Sequence, residues 1–333
     1  MNDFGIIGIG RIGTSMARNM SSKGIIVSLY DKSHNPLAKL KSDYPELESS
    51  LVFDDIYKFI SSISKPRKVL VLVPSGPALD EVISILIKHL DPNDILIDGG
   101  NTNPNVSFEN HQTIKSKNLL YLGMGVSGGV KGVLEGPSIM IGGDTNAFDQ
   151  VKNIFSQITS KTINGSKSFE FFGDSNQGHF VKMIHNGIEY VEMQLISSIY
   201  YLIINSKKYM YDDVAKIFKK WNDRDLNSYL LEISILKLTE KTDNGYLLDR
   251  IDDKADDNGT GRWMLKHAID LGCSASMLNS AIDSRFISND NNTRSKANKL
   301  IIEDKKEYDI DFESLANAYM FCRLINYFQA FLL

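Results

Sequence analysis

Gly8-Ile-Gly-Arg-Ile-Gly13 constrains this chain more than any other stretch, because it follows a short apolar run, Phe4 to Gly8, and opens a helical pattern, Ile12 to Met20. Glycines at these spacings permit a tight turn, close backbone approach to a pyrophosphate and close packing of helix on strand. A phosphate there meets free N–H groups and the positive end of the helix dipole. The expectation is a dinucleotide-binding strand, turn and helix rather than an ordinary turn, with Gly8, Gly10, Arg11, Ile12 and Gly13 around the pyrophosphate. Asp31, ending the next β-branched run Ile25 to Tyr30, stands where a carboxylate binds an adenine ribose 2′-hydroxyl and repels a 2′-phosphate. This favours NAD. Lys32 beside it is expected to neutralise part of that charge and leave NADP partly accepted.

Val69 to Pro74 and Ile95 to Asp98 are further short apolar runs, and helical patterns such as Leu79 to Leu90 lie between them. Such alternation indicates a parallel sheet covered on both faces. After about Gly173 long helical patterns take over: Phe180 to Asn205, Asp212 to Asn222, Leu226 to Glu240, Met264 to Leu271, Ser276 to Ile287 and Phe312 to Phe331. The expected fold is therefore α/β, an N-terminal Rossmann-type doubly wound sheet over residues 1–175 followed by an all-α C-terminal domain over residues 176–333. Two domains also suit a chain of 333 residues. Ser288 to Ser295 reads as a polar loop.

Composition removes several function classes. A net charge of -4 gives no basic field for nucleic acid. Cys273 and Cys322 supply neither a disulfide framework nor a metal site, so no metal and a cytoplasmic setting are expected. The N-terminus has no export pattern, and no apolar run approaches the roughly 20 residues that span a bilayer, so no membrane is expected as partner.

The segment Gly178 to Tyr190 carries the most specific chemistry. Lys182, Asn186 and Glu189 are spaced i, i+4, i+7, while Phe180, Ile184, Ile188, Val191 and Leu195 form an apolar stripe on roughly the other side. A base, a polar anchor and an acid on one helical face can position two proton transfers. The alternative is a solvated face on which Lys and Glu form a surface pair.

Together with Asp98-Gly-Gly-Asn101, Gly125-Val-Ser-Gly-Gly129, Gly136-Pro-Ser138 and Gly259-Thr-Gly-Arg-Trp263, these motifs resemble the 6-phosphogluconate dehydrogenase family over nearly the whole chain. The resemblance implies oxidation of the 3-hydroxyl of 6-phosphogluconate, loss of C1 as carbon dioxide and release of ribulose 5-phosphate, with hydride passing to NAD or NADP, in the pentose phosphate pathway. It implies Lys182 as base and then acid, Glu189 as the acid of the final tautomerisation, and Asn186 as the group orienting hydroxyl and carbonyl. It also implies Ser127, Gly128 and Gly129 at the substrate carboxylate, Asn101 between cofactor and substrate, and Tyr190, Thr260 and Arg285 at the phosphate. His185 fits a substrate contact or a packed structural histidine. A homodimer is implied as well.

Two departures from the family pattern stand out. Asn258 occupies the position of a lysine in long members, although Lys254 and Arg262 are close in sequence. Nothing in the final Phe328 to Leu333 resembles the family tail that completes a partner's phosphate pocket, so weak substrate affinity is expected. The competing expectations are another β-hydroxyacid dehydrogenase, of the 3-hydroxyisobutyrate type, and a catalytically impaired nucleotide-binding homologue.

Overall fold

Phe4–Ile7 (β1) is buried at all four positions. It pairs in parallel with Val27–Tyr30 (β2) on one side and with Lys68–Val71 (β4) on the other. Its alternate residues feed separate cores: Ile6 lies with Met16, Met20, Leu29 and Phe155, and Ile7 with Phe59, Ile83, Leu86 and Ile114. That is the signature of a strand covered on both faces. The computed structural model describes residues 2–33, 40–300 and 307–333. They fall into two compact units, Met1–Met183 and Ile184–Leu333.

The first unit carries an eight-stranded sheet. Leu51–Phe53 (β3), Ile95–Asp98 (β5), Leu120–Ser127 (β6), Ser138–Gly143 (β7) and Phe169–Phe171 (β8) complete the order β3-β2-β1-β4-β5-β6-β7-β8. The strand order reverses between β1 and β4, and the glycine turn leaves the sheet there, at the switch point where doubly wound folds bind ligands. The apolar runs of β1, β2, β4 and β5 pair in parallel as expected, and one pair further along differs: β6 and β7 pair antiparallel from Leu122 opposite Gly143 to Ser127 opposite Ser138. Only residues 128–137 join them, fewer than the crossover of about a dozen or more residues that parallel pairing needs.

The helices that matter below are Arg11–Ser22 (α1), Ile56–Ser61 (α2), Pro77–His89 (α3), Pro104–Lys115 (α4), Gly129–Glu135 (α5), Thr145–Ile158 (α6) and Gln177–Asn205 (α7). The unit boundary falls inside α7, after Met183. The second unit continues with Tyr211–Asn222 (α8), Tyr229–Thr239 (α9), Thr260–Asp270 (α10), Ser276–Asn289 (α11), Asn291–Asn298 (α12) and Phe312–Phe331 (α13). Ile199, Ile203, Phe218, Trp221, Leu231 and Tyr319 form its core.

This unit is helical as expected, with one small addition, an antiparallel hairpin of Lys241–Thr242 and Gly245–Tyr246. The polar stretch from Ser288 is not all loop, since α12 begins at Asn291 with Asp290 accepting from Thr293 N–H at 3.0 Å. That helix buries no residue, so it has no apolar periodicity to betray it, and its signal is the capping aspartate. Among the described residues no helix is long and apolar enough to cross a membrane.

Candidate active site

The glycine turn is sterically determined at two of its three glycines and open at the third. Gly8 has φ +94°, and a Cβ there would lie 2.5 Å from the Leu72 carbonyl oxygen; a Cβ on Gly13 would lie 1.9 Å from that of Gly8. Around Gly10, by contrast, a Cβ would meet nothing within 4 Å. Gly10 caps α1 without a side-chain hydrogen bond, and the first turn carries no acidic residue, so the helix end is left to attract an anion. Arg11 is exposed at this end, and Ile12 packs against the core.

Asp31 is tied to this turn: one carboxylate oxygen accepts from Ile9 N–H at 2.7 Å and the other from Ser33 N–H at 2.8 Å. The ammonium of Lys32, next in the chain, pairs with Glu81 at 2.8 Å.

The start of α7 is seated directly on the sheet of the first unit. A Cβ on Gly178 would lie 2.3 Å from the Gly123 carbonyl oxygen, and one on Gly125 would lie 2.3 Å from the Cβ of Lys182. His179 Nδ1 shares a 2.8 Å hydrogen bond with Ser107 Oγ, which meets Tyr121 Oη at 2.9 Å; that hydroxyl donates to Asp98 at 3.3 Å. Burial pushes the His179 ring's pKa down, partly opposed by the Asp98 charge. Asp98 also accepts from Gly100 N–H at 3.1 Å, which shapes the turn leading to the exposed Asn101. Beyond Ser127 the chain turns through Gly128 (φ +134°) and Gly129 (φ +58°) into α5, a strand-to-helix turn rather than a hairpin turn.

In the second unit α7 carries His185, Asn186, Glu189 and Tyr190. His185 Nδ1 lies 3.2 Å from Asn186 Oδ1 and 3.6 Å from Glu189 Oε2. The expected apolar stripe is displaced: Met183, Asn186, Gly187, Tyr190 and Val191 are buried, whereas Phe180, Ile184, Ile188 and Leu195 are only half-buried. Asn186 therefore does not lie on a solvated face. The cause in this unit is close helix packing at Gly187, where a Cβ would lie 2.0 Å from Met264 Sδ of α10.

Tyr190, Thr260 and Arg285 come together. A Cβ on Gly261 would lie 2.8 Å from the Tyr190 ring, which places the start of α10 against that tyrosine. The Arg285 guanidinium stands 4.0 Å from the ring centroid, and its Nη1 donates to the Asp256 carbonyl. The Tyr190 hydroxyl lies 2.7 Å from Asp257 Oδ1 and 2.9 Å from Asn258 Oδ1. Burial raises its pKa, reinforced by Asp257. Thr260, wholly buried, donates through Oγ1 to Asn258 at 2.7 Å. Beside Tyr190 and Arg285 opens a cavity of about 760 Å³ that Ser197, Tyr201, Ser284 and Arg294 also line.

Residues 3–166 match the NAD binding domain of 6-phosphogluconate dehydrogenase, and residues 178–333 match the C-terminal domain of the same enzyme. A 6-phosphogluconate dehydrogenase, decarboxylating, from Lactococcus lactis subsp. cremoris is 36% identical over 99% of this chain and 71% of its own length. The chain belongs to the 6-phosphogluconate dehydrogenase family. The family member from Buchnera aphidicola subsp. Acyrthosiphon pisum is 35% identical over 98% of this chain and 71% of its own. Among solved structures, Plasmodium falciparum 6-phosphogluconate dehydrogenase, described in its apo form and in complexes with its cofactor NADP+ and its substrate 6-phosphogluconate, superposes with a TM-score of 0.92 at 36% identity. It is covered over 72% of its chain and covers 99% of this one. A 3-hydroxyisobutyrate dehydrogenase from Mycobacterium tuberculosis, at 16% identity and TM-score 0.65, shares the fold alone.

Three groups of this family member escaped the sequence reading as parts of a site. Gly125 sets how closely Lys182 approaches the sheet, His179 links α7 to Asp98, and Asp257 gathers the donors around Tyr190. Position alone offered a signal for Asp257, two residues before Gly259-Thr-Gly261.

Proposed function

We infer that this chain oxidises and decarboxylates 6-phosphogluconate to ribulose 5-phosphate and carbon dioxide, using a nicotinamide dinucleotide. The observation that carries the reading is helix α7, a single helix whose sequence holds Lys182, Asn186, Glu189 and Tyr190, with Lys182 packed at Gly125 in the first unit and Tyr190 gathered with Thr260 and Arg285 in the second. At about 1.5 Å rise per residue, one helix holds a base and an acid within a sugar's length of each other.

In this reading Lys182 removes the proton of the substrate's 3-hydroxyl. A nicotinamide dinucleotide held by Gly8, Gly10 and Gly13 would supply the acceptor for the hydride that leaves C3. Lys182, now protonated, returns its proton to the C3 oxygen as the C1–C2 bond breaks and its electron pair forms the enediol. Glu189 then protonates the carbon that becomes C1 of the pentulose while Lys182, now neutral, takes the proton of the adjoining enediol hydroxyl and leaves the ketone. Asn186 orients the hydroxyl and carbonyl, His185 stands between Asn186 and Glu189, and Asn101 and Ser127-Gly128-Gly129 take the nicotinamide side and the carboxylate. Tyr190, Thr260 and Arg285 take the phosphate.

The dinucleotide is proposed to be NAD in preference to NADP, supported by an Asp31 carboxylate held at the glycine turn and not paired with Lys32. Residues 1–175 would then form the dinucleotide-binding domain and residues 176–333 the substrate and dimerisation domain of a cytoplasmic homodimer. Phe321, Leu324, Phe328 and Phe331, exposed along α13, support a dimerising role for that domain.

The test is reduced-nicotinamide absorbance with 6-phosphogluconate plus NAD or NADP, ribulose 5-phosphate being assayed in parallel and 3-hydroxyisobutyrate serving as the competing substrate. Reduction with pentulose formation is expected. Turnover of 3-hydroxyisobutyrate alone, or no turnover in folded protein that binds dinucleotide, would overturn the reading.

A further inference from the structure

The loop that leads into α10 folds one of its own carboxylates under Tyr190. Asp257 Oδ1 accepts from the Tyr190 hydroxyl at 2.7 Å and from Gly259 N–H at 2.8 Å, and Oδ2 pairs with Arg262 Nε at 2.5 Å. The side chain is only 11% exposed, while that of Arg262 is 53% exposed. Burial by itself would raise this carboxyl's pKa, but Tyr190, the Gly259 amide and Arg262 outweigh it and hold it below the ordinary range. The charge is therefore present at neutral pH.

A phenol hydroxyl, a backbone amide and a guanidinium converging on one point are the donors that bind an external phosphate. Here the chain itself fills that point. The neighbouring donors are likewise turned inward, since Thr260 Oγ1 and Thr260 N–H both reach Asn258 Oδ1, at 2.7 and 3.2 Å. Arg285, stacked on Tyr190, gives Nη1 to the Asp256 carbonyl.

We propose that Asp257 is an internal anion that holds Tyr190, one of the phosphate-recognition donors of the second unit, beside the Asn258 and Asp256 acceptors that hold Thr260 and Arg285, so that the phosphoryl end of the substrate binds only by drawing Tyr190 away from this carboxylate. The proposal rests on the reading that Tyr190, Thr260 and Arg285 receive the phosphate. It makes Asp257 a specificity-determining residue: like-charge contact weakens a phosphorylated sugar acid far more than its unphosphorylated counterpart.

The experiment compares wild type with Asp257→Asn, which keeps the acceptor toward Tyr190 and Gly259 and removes the charge. Two quantities are read: the dissociation constant of inorganic phosphate by calorimetry, which needs no turnover, and KM for 6-phosphogluconate against gluconate. Both the phosphate dissociation constant and KM for 6-phosphogluconate are expected to fall by about tenfold. KM for gluconate should move by much less. Values within twofold of wild type, or a rise in both, would overturn the proposal and leave Asp257 as a support of the loop. Asp257→Gln provides a second neutral variant, and failure of both to fold would likewise make the carboxylate structural. Absence of turnover in wild type would sink the functional reading alone, because the phosphate titration still judges Asp257.

Discussion

Gly125 on β6 and Lys182 on α7 are packed so closely that the first tolerates no side chain: a Cβ on Gly125 would lie 2.3 Å from the Cβ of the lysine. Such an overlap with the root of a side chain, rather than its flexible end, is relieved only by moving the helix or the strand. Gly125→Ala is therefore expected to misplace the Lys182 ammonium by about 1 Å and lower kcat by about 100-fold. Dinucleotide affinity, measured by fluorescence titration, should stay near wild type, and Lys182→Met should show the same pattern with turnover abolished. A kcat for Gly125→Ala within threefold of wild type would mean that the packing does not position the base.

The Asp31 carboxylate proposed to bind the ribose also accepts from Ile9 N–H in the glycine turn. If it binds the adenine ribose as proposed, replacing it with Ala removes the repulsion toward a 2′-phosphate and the hydrogen bond to the ribose. The ratio of kcat/KM for NAD over NADP should fall by about 10- to 100-fold, the worth of a hydrogen bond to a charged group. Some loss with both dinucleotides is expected from the loosened turn. An unchanged ratio would place the ribose elsewhere.

What the sequence disclosed follows from how local each constraint is. Gly8 and Gly13 were legible because their collisions lie within the turn or with the strand beside it, so the spacing itself encodes them. That Lys182, Asn186 and Glu189 share one helix was legible because helical periodicity runs unbroken through the segment. The pair of Lys32 with Glu81 was not legible because Lys32 follows β2 and Glu81 lies on α3, so no local pattern joins them. Asp257 and Tyr190 meet across 67 positions, so neither could be assigned to the other. The antiparallel pairing of β6 with β7 was hidden by a helix, α5, that mimics a crossover yet spans too few residues to be one. The sheet's two-sided burial, in contrast, was written in the unbroken apolar runs of its central strands.

The second unit encloses an ionised network that burial alone would expel. Glu192, 6% exposed, accepts from the Tyr319 hydroxyl and pairs with Arg323 at 3.3 Å, and Arg323 is itself 8% exposed. Burial and the Glu192 charge together push the Tyr319 pKa up, so this hydroxyl remains a donor. Glu192→Gln keeps an acceptor for Tyr319 but strands the Arg323 charge, which costs about 3–5 kcal/mol. Urea unfolding should register that loss, and a double variant with Arg323→Met should recover part of it. A loss below about 1 kcal/mol would show that Arg323 finds other compensation through Asn227.

His179 gives the fold a pH dependence of predictable sign. Its ring is 2% exposed, and burial holds its pKa below that of an ordinary histidine. In the unfolded chain the imidazole titrates at about 6.5, so below that pH the unfolded state binds more protons than the native one. The contribution of a neutral His179 is thus fully present above about pH 6.5 and is lost as pH falls through the native pKa. Between these values stability should drop by up to about 1.4 kcal/mol per pH unit on account of this residue. His179→Gln, which can still reach Ser107, should be less stable at neutral pH yet show a flatter decline on acidification. Unfolding free energies of the two proteins measured from about pH 7.5 to about pH 5 decide the matter, since equal slopes would mean that His179 does not titrate differently on folding.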